Sequence, residues 1–334
     1  MKIWIDIKNT HEPLLFKCLT RELPYEFYIS IRENAEVRGL MERYGMTYRV
    51  IGSYEEKGKV RRAFSLLSRT LFLASRVPRF DYLLSHGSLP AIMACKLRFK
   101  KSITITDNDL NETLIKMVFR YSDYLIIPKF VDFRRFRIPD TKVRMFDGFK
   151  EDLYIADFNP EQCNREIPFD RYVVIRPEAH KAHYVSSTEK SIVPELIEKF
   201  LHERYNVVLL PRYSEEKAMY RKKYGDNKAL YIPEKPINGL CAAWYAEAVL
   251  TGSGTLGREA ACIGTTAVSF FPGKELLSVD KELINRGLYY HSRNPEEIIK
   301  YVLSAPQKRR STERSKVVKT EVIRILMEIV GEKK

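Results

Sequence analysis

The stretch Ala248-Val249-Leu250-Thr251-Gly252-Ser253-Gly254-Thr255-Leu256-Gly257-Arg258-Glu259-Ala260-Ala261 reads as a buried strand, a glycine turn and a helix. Glycines in such a turn let the backbone come close to a ligand, and the amides of the first helical turn attract a diphosphate. A purely structural turn is the plainer alternative. Gly252, Gly254 and Gly257 carry the GxGxxG spacing of dinucleotide sites, but they fall late in the chain and not in its first strand-turn-helix unit, which argues against a standard NAD site. Ser253, Gly254 and Thr255 are the expected diphosphate contacts. Arg258 and Glu259 are expected in the first turn of the helix, Arg258 on phosphate and Glu259 on ribose hydroxyls. Compensation of the helix dipole is the alternative role for Glu259.

On either side of this stretch, short apolar runs alternate with amphipathic ones. Strands are predicted at 3–7, 26–31, 48–51, 82–85, 102–105 and 124–127, and again at 172–175, 206–210, 229–232, 248–250 and 266–270. Helical patterns separate them, so each half reads as α/β, a doubly wound parallel sheet of the Rossmann-like kind. The rhythm weakens between Phe130 and Asp170, where Pro139, Pro160 and Pro168 interrupt it. The expected organisation is an N-terminal domain at 1–150, a linker at 151–170, a second domain at 171–305 and a terminal helix at 306–334. Ligands of open α/β sheets bind beyond the carboxyl ends of the strands, so two such domains are expected to face each other across a ligand-binding cleft.

A chain of 334 residues suits two domains, and 45% hydrophobic with 30% charged residues is a globular composition. No apolar run reaches the length of a membrane span and the start lacks a signal-peptide core, so a cytoplasmic protein is expected. Five cysteines (Cys18, Cys95, Cys163, Cys241, Cys262) stand singly, without metal-ligand or redox spacing, and are expected as buried thiols. A formal charge of +14 favours an anionic partner. Much of the excess lies between Lys57 and Lys101, which hold eleven basic residues and one acid, Asp81. Nucleic acid is not the expected partner, because no basic motif with interleaved aromatics is present.

Several motifs together carry a resemblance. Tyr172 to Ala179, Val208 to Tyr213, the Gly252 turn with Arg258-Glu259-Ala260-Ala261, and Ser269 to Lys274 resemble an uncharacterised, chiefly archaeal family. That family is similar to GT-B glycosyltransferases and to UDP-N-acetylglucosamine 2-epimerase. Ile5-Asp6-Ile7 with His11, and Ser85-His86-Gly87-Ser88, extend the likeness through the first half.

The resemblance implies a GT-B-like fold and a nucleotide-diphosphate sugar held by the second domain. Ser253 and Gly254 would contact the diphosphate and Glu259 the ribose. Arg176 and Glu178 would face the ligand from the loop after the first strand of that domain, unless they simply pair with each other. Arg212 and Lys274 belong to the same motifs and are taken as substrate contacts. His11 would be a general base near an acceptor hydroxyl, with an exposed or helix-capping histidine as the alternative. His86, Gly87 and Ser88 would line the same region, Ser88 alternatively as an N-cap.

Asp107, in Thr106-Asp107-Asn108-Asp109, is the second candidate base, or a group that orients His11. The doubly wound pattern does not suit the fold in which DxD binds metal, and His180 with His183 makes a poor zinc site, so no metal and no cofactor are expected. The segment Lys57 to Arg79 has seven basic residues and no acid. Its stripe Val60, Ala63, Phe64, Leu67, Leu71, Ala74 is expected to be buried, with contact to an anionic membrane as the alternative. The activity expected from all of this is metal-independent transfer of a sugar from a nucleotide-diphosphate donor, with UDP as the expected nucleotide, to an unknown acceptor, a lipid-linked one included. The alternatives are a UDP-N-acetylglucosamine 2-epimerase and a nucleotide- or nucleic-acid-binding protein without catalysis.

Overall fold

Ile3-Trp4-Ile5-Asp6-Ile7 is buried along its whole length, as a strand covered on both faces must be. In the computed structural model this strand, β1 (Lys2–Ile7), pairs in parallel with β2 (Glu26–Ile31) on one side and β4 (Tyr82–Ser85) on the other. The structure describes residues 1–52, 59–109, 112–164, 166–178, 191–306 and 309–331, without the side chains of 59–62 and 112. Lys57, His180 and His183 lie outside the described residues.

The chain divides into two compact units, Met1–Tyr154 together with Ser315–Lys334, and Ile155–Arg314. The sheet of the first unit is completed by β3 (Arg49–Val50), β5 (Lys101–Ile105), β6 (Tyr124–Pro128) and β7 (Val143–Phe146), in the order β3-β2-β1-β4-β5-β6-β7. Every pair is parallel. Helices α1 (Glu12–Glu22), α2 (Ala35–Arg43), α3 (Lys59–Arg76), α4 (Leu89–Leu97) and α5 (Glu112–Tyr121) make the crossovers, and the short α6 (Asp152–Ile155) follows β7.

The second unit has β8 (Tyr172–Arg176), β9 (Asn206–Leu209), β10 (Leu230–Tyr231), β11 (Ala248–Thr251), β12 (Thr266–Ser269) and β13 (Tyr290–His291), ordered β10-β9-β8-β11-β12-β13 and again parallel. Its helices are α7 (Val193–His202), α8 (Ser214–Tyr224), α9 (Gly239–Tyr245), α10 (Gly254–Ile263), α11 (Ser278–Asn285) and α12 (Pro295–Ser304). Asn34, Asn238 and Asn294 cap α2, α9 and α12 by accepting backbone N–H bonds, which fixes where those helices start. The last helix, α13 (Glu313–Gly331), belongs to the first unit. There Ser315 donates to Asp152 at 2.6 Å, Lys319 pairs with Glu22 at 2.7 Å, and Val318 and Val322 are buried.

Two expectations are corrected. Cys163 and Cys241 form a disulfide within the second unit, whereas Cys18, Cys95 and Cys262 are buried free thiols. The two partners are 78 residues apart, so no local spacing announces the bond. Closing a loop of that size is worth about 4 kcal/mol on chain-entropy grounds.

The second correction concerns α3, which buries a different face from the one expected. Leu73 and Val77 are buried with Leu66 packed beside them, while Phe64, Leu67 and Leu71 are exposed. Arg69 sets this rotation, because it is buried in mid-helix and reaches Asp6 at 2.8 Å and the Ile51 carbonyl at 3.3 Å.

Candidate functional site

In each sheet the crossover direction reverses next to the first strand, between β1 and β4 in one unit and between β8 and β11 in the other. Such switch points leave a crevice at the carboxyl edge, where ligands of doubly wound sheets bind. His11, His86, Arg176 and the Gly252 turn fall at these two places, and Asp107, Arg212 and Lys274 follow neighbouring strands.

In the second unit the turn after β11 and the loop after β8 stand side by side, and the Gly252 N–H donates to the Arg176 carbonyl at 2.9 Å. A Cβ on Gly252 would lie 2.7 Å from Glu178 Cα, and one on Gly257 would lie 2.1 Å from the Tyr289 hydroxyl. The close packing of the chain itself therefore requires both glycines, whatever ligand the turn holds. Thr251 Oγ1 accepts from the Ser253 N–H at 2.9 Å and pins the turn. Ser253 sits at the N-cap of α10, but its side chain makes no capping bond, and no acid occupies the first turn of that helix. The helix thus presents a positive end, with no acid in its own first turn, beside Gly254 and the half-buried Thr255.

Arg258 and Glu259 fall in the second turn of α10, not the first. The Arg258 guanidinium is buried and bonded to both carboxylate oxygens of Asp280 on α11, at 2.7 and 3.1 Å, and it packs against Gly254, where a Cβ would lie 2.7 Å from its Nη2. Glu178 is also corrected. It is fully buried, accepting from Ser191 Oγ at 2.7 Å and from the Ile192 N–H at 3.3 Å, and it anchors the start of α7. A cationic neighbour of Glu178 is Arg293, at 3.5 Å, which also donates to the Phe270 carbonyl at 2.8 Å. Arg176 and Glu259 are half-buried, whereas Arg212 and Lys274 are exposed on the loops after β9 and β12.

In the first unit the loops after β1, β4, β5 and β7 bring together a dense set of titratable groups. The His11 imidazole lies edge-on to that of His86, with ring centroids 5.1 Å apart. His86 Nδ1 is 2.6 Å from the Ile105 carbonyl, which identifies that nitrogen as the protonated donor and leaves Nε2 as the acceptor. His11 Nε2 is buried and has no hydrogen-bond partner among the described residues. Lys150 Nζ lies 3.2 Å from both oxygens of Asp107 and 3.7 Å from Glu151, all three side chains being buried. Asp109 faces Arg135 at 3.7 Å, so each carboxylate of the DxD-like stretch has a cation beside it. Lys8 Nζ donates to the Gly87 carbonyl at 2.7 Å.

The Ser88 role is corrected as well. Its hydroxyl is fully buried and donates to Asp6 at 2.5 Å, part of a network in which Asp6 also accepts from Ser30 at 2.7 Å and from Arg69. Ser88 therefore ties β4 to β1 and does not line a ligand site. Ser88 stands at the N-cap of α4 without a side-chain capping bond.

Burial governs the electrostatics of this edge. It pushes the His86 imidazole down to about 4, with the Lys150 charge adding to the effect. His11 is held well below its ordinary value by burial, then by Lys150 and His86. Both rings are neutral at pH 7, and His11 Nε2 is placed to accept a proton. Burial raises Glu12 to about 7 even though its oxygens accept from the Lys8 N–H and from Asn9, each at 2.7 Å.

A carboxyl raised in the folded state contributes stability below its unfolded value of 4.5 and loses that contribution as pH rises to about 7. Relative to Glu12→Gln, the parent is expected to lose about 3 kcal/mol between these limits and nothing further above them. Denaturant midpoints of both proteins from pH 4.5 to 8 check this, and a constant difference would show that Glu12 titrates normally.

A family model described as "Protein of unknown function (DUF354)" matches residues 1–334. The chain belongs to the DUF354 family. "Uncharacterized protein MJ0665" of Methanocaldococcus jannaschii is 25% identical to it over 330 residues, covering 90% of this chain and 91% of the relative. Among solved structures, the UDP-GlcNAc 2-epimerase of Methanocaldococcus jannaschii in complex with UDP-GlcNAc and UDP superposes with a TM-score of 0.73 at 15% identity, over 98% of this chain and 100% of that one. The glycotransferase of kitacinnamycin superposes with a TM-score of 0.61 at 10% identity, over 99% and 98% of the two chains. This DUF354 chain accordingly has an α/β, GT-B-like fold of two Rossmann-like units.

Lys150 and Glu151 were not among the residues expected at the site. Their motif, Phe149-Lys150-Glu151-Asp152, follows β7, and without that strand it reads as the start of a linker. Arg293 was likewise missed, since nothing in His291-Ser292-Arg293-Asn294 marks it as more than a turn. The helices among the described residues include none long and apolar enough to cross a membrane.

Proposed function

We propose that the chain binds a UDP-linked sugar through the turn after β11 and transfers that sugar to an acceptor. The observation that carries this reading is the turn Gly252 to Thr255. It lies at a switch point and opens onto a helix end with neither a side-chain cap nor an acid. The fold of the relatives supports it, one of them having been crystallised with UDP-GlcNAc and UDP. In the reaction, the base of the first unit removes the acceptor hydroxyl proton, and the freed oxygen bonds to the anomeric carbon. The bond from that carbon to the diphosphate oxygen breaks, and the charge of the departing UDP is met by the turn amides and the helix end. His11 Nε2 is the base in this scheme. Asp107, engaged with Lys150, orients the surroundings.

A panel of nucleotides in thermal shift and calorimetry tests the donor site. UDP and UDP-GlcNAc are expected to raise the melting temperature in proportion to ln(1 + [L]/Kd), and indifference to every nucleotide would overturn the reading. Glu259→Gln is expected to cost about 1 to 3 kcal/mol of UDP affinity if its carboxylate accepts ribose hydroxyls. Equal calorimetric affinities would leave Glu259 a helix residue only.

A second reading, epimerisation at carbon 2 of the sugar, draws on the number of acid and base groups at the first unit's edge. His11, His86, Asp107 and Glu151 exceed what one proton removal needs. Incubation with UDP-GlcNAc alone separates the two readings, since an epimerase turns over without an acceptor.

A further inference from the structure

We infer that the outer face of α3 is a docking surface for an anionic lipid membrane. Phe64, Leu67, Leu71 and Phe72 lie on one side of this helix with 71, 56, 53 and 44% of their surface exposed. Their spacing of three, four and one residues forms a stripe about 12 Å long at the helical rise of 1.5 Å per residue. Single exposed apolar residues are ordinary, but a row of four with two phenylalanines is not.

The stripe is not a disordered remnant of a misplaced helix. The opposite face is fixed by Leu73 and Val77 in the core and by the buried Arg69–Asp6 pair. The outward direction of the aromatic and leucine side chains is therefore imposed by the fold.

A further exposed apolar group lies on the turn after α4. Phe99 is 97% exposed on the turn after α4, where its φ of 54° is a conformation that a bulky residue seldom adopts. Arg98 holds this turn against the end of α3 by donating to the Val77 and Pro78 carbonyls at 2.5 and 3.1 Å. Arg76 lies 4.8 Å from the Phe72 ring centroid.

The charge selects the occupant. Lys59 to Arg79 contains basic residues and no acid, and Arg98, Lys100 and Lys101 follow the same end of α3 in sequence, while Arg69 is paired with Asp6 and Lys96 with Asp123. A second copy of this chain would bring two such surfaces together, at a cost from like charges. An anionic bilayer attracts the basic groups and accepts the apolar ones, the combination found in helices that lie in a membrane interface. This inference is independent of the sugar-transfer reading, since its test reads binding and not turnover.

The test is sedimentation of the full chain with vesicles of phosphatidylcholine alone or with phosphatidylglycerol added. Binding is expected only with phosphatidylglycerol and is expected to weaken in high salt. Phe64→Ser with Leu71→Ser should lower the partition coefficient at least tenfold. Arg76→Gln and Arg79→Gln should each lower it roughly fivefold. All of these side chains are on the surface, so melting temperatures should match the parent. Three results would each overturn the inference: no binding of the parent to phosphatidylglycerol vesicles, undiminished binding of the Phe64/Leu71 variant, or a parent dimer in light scattering that this variant converts to monomer. The last would identify a second copy as the occupant.

Discussion

His11→Ala is expected to lower turnover of a UDP-sugar substrate by about 10²- to 10⁴-fold while leaving UDP affinity unchanged. The two parts of this expectation rest on different units. UDP is assigned to the turn after β11, whereas His11 follows β1 and offers a buried Nε2 that no described group occupies. Burial and the Lys150 charge keep the ring neutral well below the ordinary histidine value. Its base form is then fully populated at pH 7, and the acid limb of the rate profile should fall below pH 6.5. The measurement pairs calorimetric UDP affinity with the turnover number over pH 5 to 8. Full turnover in the variant would move the role of base to Asp107, to be tested by Asp107→Asn. A loss of UDP affinity instead would make His11 a binding group.

The doubly wound pattern was legible because parallel strands buried on both faces are nearly continuous apolar runs, as Ile3 to Ile5 and Ala248 to Leu250 are. The pattern failed at its edges. β7 has four residues and β13 two, and Val143-Arg144-Met145-Phe146 with its central arginine lacks the apolar continuity of an inner strand. Missing β7 left Lys150 as the last residue of the expected domain and put Glu151 in the linker, although both are buried at the carboxyl edge of the first sheet.

Buried ion pairs account for the differences from expectation at α3 and at Arg258. Arg69 and Arg258 are both arginines in helices, and residue type alone assigns such groups to solvent or to a ligand. Their partners, Asp6 and Asp280, stand 63 and 22 residues away and meet them only in the folded chain. The consequence for α3 was a buried face assigned about one residue out of phase, with its apolar stripe turned to the wrong side. For α10 it was an arginine expected on phosphate that is bonded to Asp280 of the next helix. The glycine turn itself was legible as a turn at a strand end, but Gly252 and Gly257 are explained by contacts with Glu178 and Tyr289 that no spacing rule contains.

Lys150→Met is expected to destabilise the first unit by about 3 to 5 kcal/mol, because it leaves the buried carboxylates of Asp107 and Glu151 without the cation between them. The same substitution should raise the pKa of both histidines, since the Lys150 charge ranks next after burial among the causes that lower each of them. For His86 the shift starts from about 4, and NMR titration of the imidazole protons measures it directly. The sign of the linked stability follows. A depressed histidine contributes stability above its unfolded value of 6.5 and loses it as pH falls to about 4, so a smaller depression means a smaller acid loss over that window. Lys150→Met should therefore be less stable than the parent at pH 7 but lose less on acidification through His86. Lys150→Arg retains the charge and should keep His86 near 4, which separates the electrostatic effect from a change in packing. If His86 titrates near 4 in Lys150→Met too, burial alone sets its pKa, and the lysine acts only on the two carboxylates.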